Sequence, residues 1–144
     1  MSKKTWKVGV AGLGTVGGGL LQFLSERPDF APAGGRVVVT GVSARNRSRP
    51  RPFDISGITW FDDPVSLATA PETDIFVELV GGSDGPAKAA VEAALKAGKP
   101  VVTANKALIA EHGAELAALA EAANVPLLFE AAVMGGTPAV KMLR

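Results

Sequence analysis

Three glycines near the start of the chain have the spacing of a phosphate-binding loop. The motif GLGTVG occupies residues 12–17, after an apolar stretch and before a helical pattern of leucine and phenylalanine. In such a loop Gly12 permits a tight turn, Gly14 lets the backbone approach a pyrophosphate, and Gly17 lets the helix pack closely on the strand. The anion would lie at the helix N-terminus, where free N–H groups and the helix dipole favour negative charge. The motif therefore predicts a dinucleotide-binding site.

An arginine at the end of the second predicted strand bears on which dinucleotide is bound. NAD-binding domains place an acidic residue there for the ribose 2′-hydroxyl, but residues 37–45 contain none. A guanidinium at this place can instead pair with a 2′-phosphate, and a charge-assisted hydrogen bond contributes about 1.5–3 kcal/mol. Arg45 therefore predicts binding of NADP in preference to NAD. The arginines that follow, Arg47, Arg49 and Arg51, are expected to form a solvated surface loop.

Lys106 is the candidate catalytic residue. It follows Thr-Ala-Asn at the junction of a predicted strand and a long helix, at the sheet edge where open α/β sheets bind ligands. The helix dipole disfavours a cation in this first turn by about 0.3–1 kcal/mol, so its position favours a functional explanation. We expect a partly buried lysine that acts as an acid or base, or donates to a substrate oxygen. A surface lysine at a helix start is the alternative.

Two carboxylates are predicted late in apolar strands, where a charge needs a partner. Glu78 is expected to make a structural hydrogen bond at its strand end. Glu130 precedes a glycine-containing loop whose carbonyl oxygens could join its carboxylate around a hard cation. Gly81 could let the backbone approach the nicotinamide or ribose, or could only form a turn. The sole histidine, His112, is expected on the surface of the long helix without a partner.

Strands and helices alternate along the whole chain. Strands are predicted over 6–11, 37–43, 58–61, 74–80, 100–103 and 127–132, and helices over 16–26, 64–68, 86–97 and 106–123, with a last helix starting near Pro138. This alternation of apolar strands and helices predicts an α/β fold with a doubly wound, mostly parallel sheet, a Rossmann-type domain covering residues 1–144. Because the last helix has no stop signal, we expect the chain to be one domain of a longer enzyme.

Composition excludes several classes of function. A formal net charge of +1 and scattered aromatic residues argue against a nucleic-acid-binding surface. The chain has no cysteine, which excludes disulfides, thiolate nucleophiles and zinc–thiolate sites and is typical of a reducing cytoplasm. Since no uninterrupted apolar run is long enough for a membrane span, we expect a cytoplasmic domain with no nucleic-acid or membrane partner.

Four motifs together resemble a known family. They are GLGTVG at 12–17, VELVGG at 77–82, VVTANKAL at 101–108 and EAAVMGGTP at 130–138. Over essentially the whole chain they are similar to the cofactor domain of homoserine dehydrogenases, and the last two are far more specific than the glycine motif. The resemblance implies reversible, NAD(P)-dependent oxidation of L-homoserine to L-aspartate 4-semialdehyde, on the route to threonine, methionine and isoleucine.

The resemblance also implies roles for particular residues. Leu13, Thr15 and Val16 match cofactor-loop contacts, Arg45 the residue facing the adenosine ribose, and Lys106 the lysine beside the nicotinamide and substrate. A sodium site, bound mostly through main-chain oxygens, matches Glu130, Val133, Gly135 and Thr137. The family's substrate domain and second catalytic lysine would lie beyond Arg144. We therefore expect this chain alone to bind cofactor without turnover and to be monomeric or weakly associated, while the full enzyme is a homo-oligomer.

Two other functions fit the same residues. One is a different NADP-linked oxidoreductase, such as a semialdehyde or imine reductase, although the absence of cysteine argues against an acylating aldehyde dehydrogenase. The other is a nucleotide-sensing module that binds the cofactor without chemistry, because a fold alone does not define a reaction. Turnover by the longer parent protein would separate an enzyme from a sensor.

Overall fold

The computed structural model describes residues 4–31 and 35–133. Its strands are β1 Thr5–Ala11, β2 Arg36–Ser43, β3 Thr59–Phe61, β4 Ile75–Glu78, β5 Val101–Thr103 and β6 Leu127–Leu128. Its α-helices are α1 Thr15–Glu26, α2 Pro64–Thr69, α3 Pro86–Lys96 and α4 Lys106–Ala123, followed by a 3-10 helix, Glu130–Ala132. The alternation predicted from the sequence is confirmed over these residues, and the predicted helix near Pro138 lies outside them.

All six strands are parallel and form one sheet in the order β3-β2-β1-β4-β5-β6. The chain winds outward from β1 in one direction to β3, then crosses back to β4 and winds the other way. Open sheets of this kind bind ligands outside the carboxyl ends of the strands, at the point where the order reverses. The predicted doubly wound α/β fold is confirmed. Since the strand order reverses between β1 and β4, a ligand site is expected at the loops after these two strands.

Apolar side chains cover both faces of the sheet, as the continuous apolar strands predicted. Consecutive residues of β4 point to opposite faces, so Phe76 packs in one core cluster and Val77 in the other. The Phe76 cluster includes the fully buried Leu67, Leu95 and Leu108 from the helices. Because α2, α3 and α4 are held to the sheet by this cluster, the loops that join them to the strands have defined positions at the sheet edge.

Two strands end earlier than predicted. β4 ends at Glu78 instead of residue 80, because the Glu78 carboxylate accepts the backbone N–H groups of Val80 and Gly81 and turns the chain. β6 ends at Leu128 instead of residue 132, because its partner β5 is only three residues long. The prediction that Glu130 lies late in a strand is therefore wrong. Glu130 is the first residue of the 3-10 helix.

Helix α2 begins at a charged cap that makes its stability depend on pH. Asp63 accepts hydrogen bonds from Val65 N–H at 3.2 Å and from the N–H and hydroxyl of Ser66 at 3.0 Å. Burial alone would raise the pKa of Asp63, but these hydrogen bonds outweigh it and hold that pKa below its ordinary value. A carboxyl with a lowered folded-state pKa stabilises the fold above its ordinary pKa, and this contribution is lost as the pH falls through the folded-state pKa.

We expect Asp63→Ala to destabilise the chain by about 1 kcal/mol at neutral pH, since it removes a helix cap. The loss should shrink in acid, where the wild-type carboxyl becomes protonated. Urea denaturation of both proteins across the acid range measures it. Asp63→Asn is the matched control, because asparagine caps a helix without a titratable charge and should stay near wild-type stability at neutral pH. Equal stability of Asp63→Ala and wild type at neutral pH would contradict the prediction.

Candidate functional site

The glycine loop between β1 and α1 has the backbone geometry that the motif predicted. Gly12 has φ +98°, and a Cβ atom there would lie 2.3 Å from the Leu79 carbonyl oxygen. A Cβ atom on Gly17 would lie 1.9 Å from the Gly12 carbonyl oxygen. Both distances are far below van der Waals contact, so the turn and the close helix–strand packing require glycine at these two positions.

Gly14 differs from the other two glycines because it faces open space. It is exposed, it precedes α1 as the N-cap, and no atom of the described residues would lie within 4 Å of a Cβ atom there. Within residues 4–31 and 35–133, no side chain caps the first turn of α1, and that turn contains no acidic residue. Its N–H groups are therefore available to an anion, and the dipole of this 12-residue helix favours one. The loop can receive a phosphate at Gly14 without displacing protein atoms.

A cleft of about 520 Å³ opens beside this loop, at the carboxyl ends of β1, β2 and β4. Leu13, Leu79 and Val80 provide apolar wall, and Arg45 and Arg49 provide positive charge. The rest of the lining comes from Gly12, Gly14, Ala44, Asn46, Arg51, Asp62, Asp63, Pro64 and Pro86. The structure thus brings the glycine motif and the exposed Arg45 to one cleft, as a nucleotide site requires.

The loop that carries Arg45 is held together by Arg51. The Arg51 guanidinium donates to three carbonyl oxygens, those of Asn46 at 2.6 Å, Arg49 at 2.9 Å and Arg47 at 3.1 Å. It also lies 5.4 Å from the centre of the Trp60 ring. The expectation that these arginines form a merely solvated loop is wrong for Arg51, which shapes the loop. Arg49 is exposed, as expected, and also lines the cleft.

A second, smaller pocket of about 130 Å³ lies between the loops after β4 and β5. It is lined by Val16, Leu79, Val80, Gly81, Ala104 and Asn105. Val16 is 62% exposed, which is unusual for an apolar side chain and leaves it available for contact. Gly81 has φ +84°, and a Cβ atom on it would meet nothing within 4 Å. Gly81 therefore forms both a turn and a wall of this pocket.

Lys106 is the first residue of α4 and lies next to the small pocket. The preceding Asn105 is buried and caps the helix, with its side-chain oxygen accepting from Leu108 N–H at 3.1 Å. The prediction of Lys106 at the helix start is confirmed, but its expected partial burial is wrong, since the side chain is exposed. An exposed ammonium at the carboxyl edge of the sheet can reach a ligand that lies above the pocket.

Beneath the small pocket lies Glu78, which is fully buried. Its Oε1 accepts from Val80 N–H at 2.7 Å and Gly81 N–H at 3.1 Å, and its Oε2 accepts from the Thr103 hydroxyl at 2.6 Å. The predicted hydrogen bond at the strand end is confirmed. The Glu78 carboxylate accepts three hydrogen bonds from the described residues, where the sequence predicted one.

His112 has partners that sequence reasoning missed. Its Nε2 lies 3.1 Å from an oxygen of Asp84, in the loop before α3, and its Nδ1 lies 3.7 Å from an oxygen of Glu115. The expectation of a surface histidine without a partner is therefore wrong. Asp84 precedes His112 by 28 residues, so no local pattern could have revealed this contact, which ties the loop after β4 to α4.

The sodium ligands implied by the resemblance lie only partly within the described residues. Glu130 begins the 3-10 helix, its carbonyl oxygen accepts from Val133 N–H at 3.1 Å, and both residues are half-buried. A carboxylate and nearby carbonyl oxygens are suitable ligands for a hard cation. Gly135 and Thr137 lie outside the described residues.

The sheet order, the glycine turn and the uncapped N-terminus of α1 together define a Rossmann-type dinucleotide-binding domain. The family described as "Homoserine dehydrogenase, NAD binding domain" matches residues 12–130. The chain belongs to this family.

Known sequences agree with this assignment. The chain is 46% identical over 141 residues to the homoserine dehydrogenase of Corynebacterium glutamicum, covering 95% of this chain and 31% of that protein. It is 45% identical to the homoserine dehydrogenase of Pseudomonas aeruginosa, covering 98% of this chain and 32% of that protein. The chain thus spans about a third of the length of these curated relatives.

Solved structures share the fold. A homoserine dehydrogenase from Thiobacillus denitrificans superimposes with a TM-score of 0.86 at 40% identity, over 99% of this chain and 33% of that one. A hyperthermophilic archaeal homoserine dehydrogenase in complex with NADPH superimposes with a TM-score of 0.79 at 27% identity, over 97% of this chain and 48% of that one. None of the helices among the described residues is long and apolar enough to cross a bilayer.

Proposed function

We propose that this chain is the NADP(H)-binding domain of an enzyme that interconverts L-homoserine and L-aspartate 4-semialdehyde. The observation that carries the proposal is the cleft at the switch point of the sheet, with the exposed Gly14 backbone and Arg45 in its wall. Membership in the homoserine dehydrogenase family supports the reaction. The NADPH complex of a structural neighbour supports the cofactor.

The two pockets match the two halves of a dinucleotide. The larger cleft, with Leu13, Arg45 and Arg49, would hold the adenosine half and its 2′-phosphate. The pyrophosphate would lie on Gly14, Thr15 and the N-terminus of α1. The smaller pocket beside Val16 and Gly81 would take the nicotinamide. Leu13, Arg45, Gly14, Thr15, Val16 and Gly81 would then contact successive parts of one extended ligand.

Lys106 would act on the substrate oxygen above the nicotinamide pocket. NADP(H), when bound, supplies the hydride acceptor or donor, and the protein supplies position and charge. The Lys106 ammonium would hydrogen-bond the oxygen that is a hydroxyl in homoserine and a carbonyl in the semialdehyde, and so stabilise charge that develops there. Asn105 would hold the start of α4, and thus Lys106, in place.

We further propose that Glu130, Val133, Gly135 and Thr137 would hold a sodium ion through one carboxylate and main-chain oxygens. The described members of this set, Glu130 and Val133, lie at the start and at the C-cap of one 3-10 helix, and carboxylate and carbonyl oxygens are the ligands that a hard cation prefers. The substrate domain of the enzyme would supply a second lysine and the groups that bind the amino acid. Residues 1–144 would then form a cofactor domain that is monomeric or weakly associated when isolated and belongs to a homo-oligomeric enzyme.

Calorimetric titration of the chain with NADPH and NADH at the same ionic strength tests the proposal. We expect NADPH to bind more tightly, because only NADPH carries the 2′-phosphate that Arg45 can reach. Binding of neither nucleotide by the folded chain would refute a self-sufficient cofactor site. Turnover of homoserine by the enzyme that contains this chain tests the reaction and separates it from other NADP-linked oxidoreductases and from a nucleotide sensor.

Replacing Arg45 with alanine is expected to lower NADPH affinity by roughly ten- to a hundredfold, the range for loss of a charge-assisted hydrogen bond. NADH affinity should stay near wild type because NADH carries no 2′-phosphate. Parallel calorimetric titrations measure both.

Arg47→Ala is the matched control for this experiment. Arg47 belongs to the same loop, but its guanidinium lies 5.9 Å from the Trp60 ring centre and it is not among the residues lining the cleft. Its removal should leave the ratio of the two affinities unchanged. An unchanged ratio for Arg45→Ala as well would show that Arg45 does not bind the 2′-phosphate.

A further inference from the structure

Glu78 is a buried carboxylate that touches neither pocket directly. It lies at the end of β4 with no exposed surface, and its three donors are two backbone N–H groups and one hydroxyl. Burying a carboxylate is costly even when it is well hydrogen-bonded. An apolar residue at this position would cost less free energy to bury. The carboxylate under the loop after β4 therefore calls for an explanation other than core packing.

Hydrogen bonds extend from Glu78 across three segments. The Thr103 hydroxyl donates to Glu78 and accepts from Asn105 N–H at 3.0 Å. The Asn105 side-chain amide donates to the Gly82 carbonyl oxygen at 2.6 Å, and its oxygen accepts from Leu108 N–H. The loop after β4, the end of β5 and the start of α4 are therefore joined by one continuous chain of hydrogen bonds.

This chain of bonds surrounds the small pocket. Val80, Gly81 and Asn105 line that pocket, and each is bonded to Glu78 or Thr103. Gly81 and Gly82 have φ of +84° and +82°. Glycine adopts positive and negative φ about equally readily, so these two residues need other contacts to stay in this conformation. The hydrogen bonds to Glu78 and Asn105 supply that restraint. Of the residues bonded to this group, Val80 also lines the larger cleft, whereas Arg45 and Arg49 in that cleft receive no bond from it among the described residues.

We propose that Glu78, Thr103 and Asn105 form a positioning network for the nicotinamide half of the site and for the helix start that carries Lys106. The network rests on the proposed function, since it assigns the small pocket to the nicotinamide. Glu78 is a positioning residue that acts through Gly81 and Thr103. Its loss should weaken binding at one end of the dinucleotide and leave the other end unaffected.

Affinities for NADPH and for 2′,5′-ADP, which contains only the adenosine half, test the network. We expect Glu78→Gln to raise the Kd for NADPH about tenfold and to leave the Kd for 2′,5′-ADP within about twofold of wild type. Thr103→Val should behave in the same way, while Thr103→Ser keeps the hydroxyl and should bind NADPH as wild type does. Binding of 2′,5′-ADP also shows that each variant is folded.

An equal loss for both ligands would show that Glu78 only stabilises the fold, and no loss for either would show that the network has no role in binding. Failure of the wild-type chain to bind NADPH would instead refute the proposed function.

Amide hydrogen exchange of the unliganded chain separates these cases. In Glu78→Leu, which removes both side-chain acceptor oxygens, the N–H groups of Val80 and Gly81 should exchange about tenfold faster, with Val77 in the sheet unchanged. Unchanged exchange rates at Val80 and Gly81 would refute the network. This result would not depend on which cofactor the chain binds.

Discussion

Replacing Lys106 with methionine is expected to lower kcat for homoserine oxidation by about 10²- to 10⁴-fold in the enzyme that contains this chain. The ammonium at the first position of α4 is the cation that we place on the substrate oxygen, and methionine keeps the length of the side chain without its charge. NADPH affinity should change by less than about tenfold, because we place the adenosine half and the pyrophosphate away from Lys106.

Loss of stability cannot account for this expected loss of activity. Lys106 is exposed and lies at a helix N-terminus, where a positive charge is unfavourable by about 0.3–1 kcal/mol. The variant should therefore be as stable as wild type or slightly more stable. Thermal unfolding and steady-state kinetics on the same protein preparation measure the two effects separately.

Lys96→Met is the matched control for Lys106. The Lys96 side chain is 62% exposed and lies at the last turn of α3, which is at the opposite edge of the sheet from the cofactor loops. Within the part of the chain that the structure describes, its one ion pair is with Glu92 at 3.6 Å, and such pairs contribute little. Its kcat should equal that of wild type. A kcat for Lys106→Met within threefold of wild type would remove Lys106 from the mechanism.

The second large effect is expected at Gly17, where alanine should destabilise the chain by about 2–4 kcal/mol and abolish NADPH binding. The added methyl group would lie 1.9 Å from the Gly12 carbonyl oxygen, a backbone atom that cannot rotate away. Relief of this contact requires α1 to move off β1. That movement would displace the helix N-terminus on which the pyrophosphate is proposed to lie.

Gly19→Ala tests whether the effect at Gly17 is steric. Gly19 belongs to the same helix, is exposed, and would place its Cβ atom in open space. Alanine there should stabilise the chain by about 0.5–1 kcal/mol, because glycine is a poor helix former. Urea denaturation and NADPH titration of both variants provide the comparison. Equal stability of the two would show that α1 does not pack on β1 as closely as described.

Where local chemistry defines a feature, the sequence predicted it well. Helix α4 was predicted over the residues it occupies, and the structure has a local interaction at each of its ends. Asn105 caps the first turn, and Asn124 ends the helix in a left-handed conformation with φ +54°. The glycine loop was predicted for the same reason, since its turn and its close packing depend on glycines at fixed spacing. The sheet followed from the alternation of apolar strands with helices.

Contacts between distant segments could not be predicted in this way. The strand limit at Leu128 depends on the length of the neighbouring strand β5. The partner of His112 lies 28 residues away, and the Thr103 hydroxyl that binds Glu78 lies 25 residues away. A periodic pattern carries no information about which loops meet at the sheet edge.

From local patterns, then, the sequence predicted the class of fold, the glycine turn after β1, the start of α4 at Lys106 and the family. The tertiary structure decided how these parts combine. It placed Arg45 in the wall of the larger cleft, gave Arg51 a structural role, and arranged Glu78 and Asn105 around the smaller pocket. The physical reason is that backbone conformation depends on neighbouring residues, whereas pockets and buried hydrogen bonds depend on the order in which strands pair.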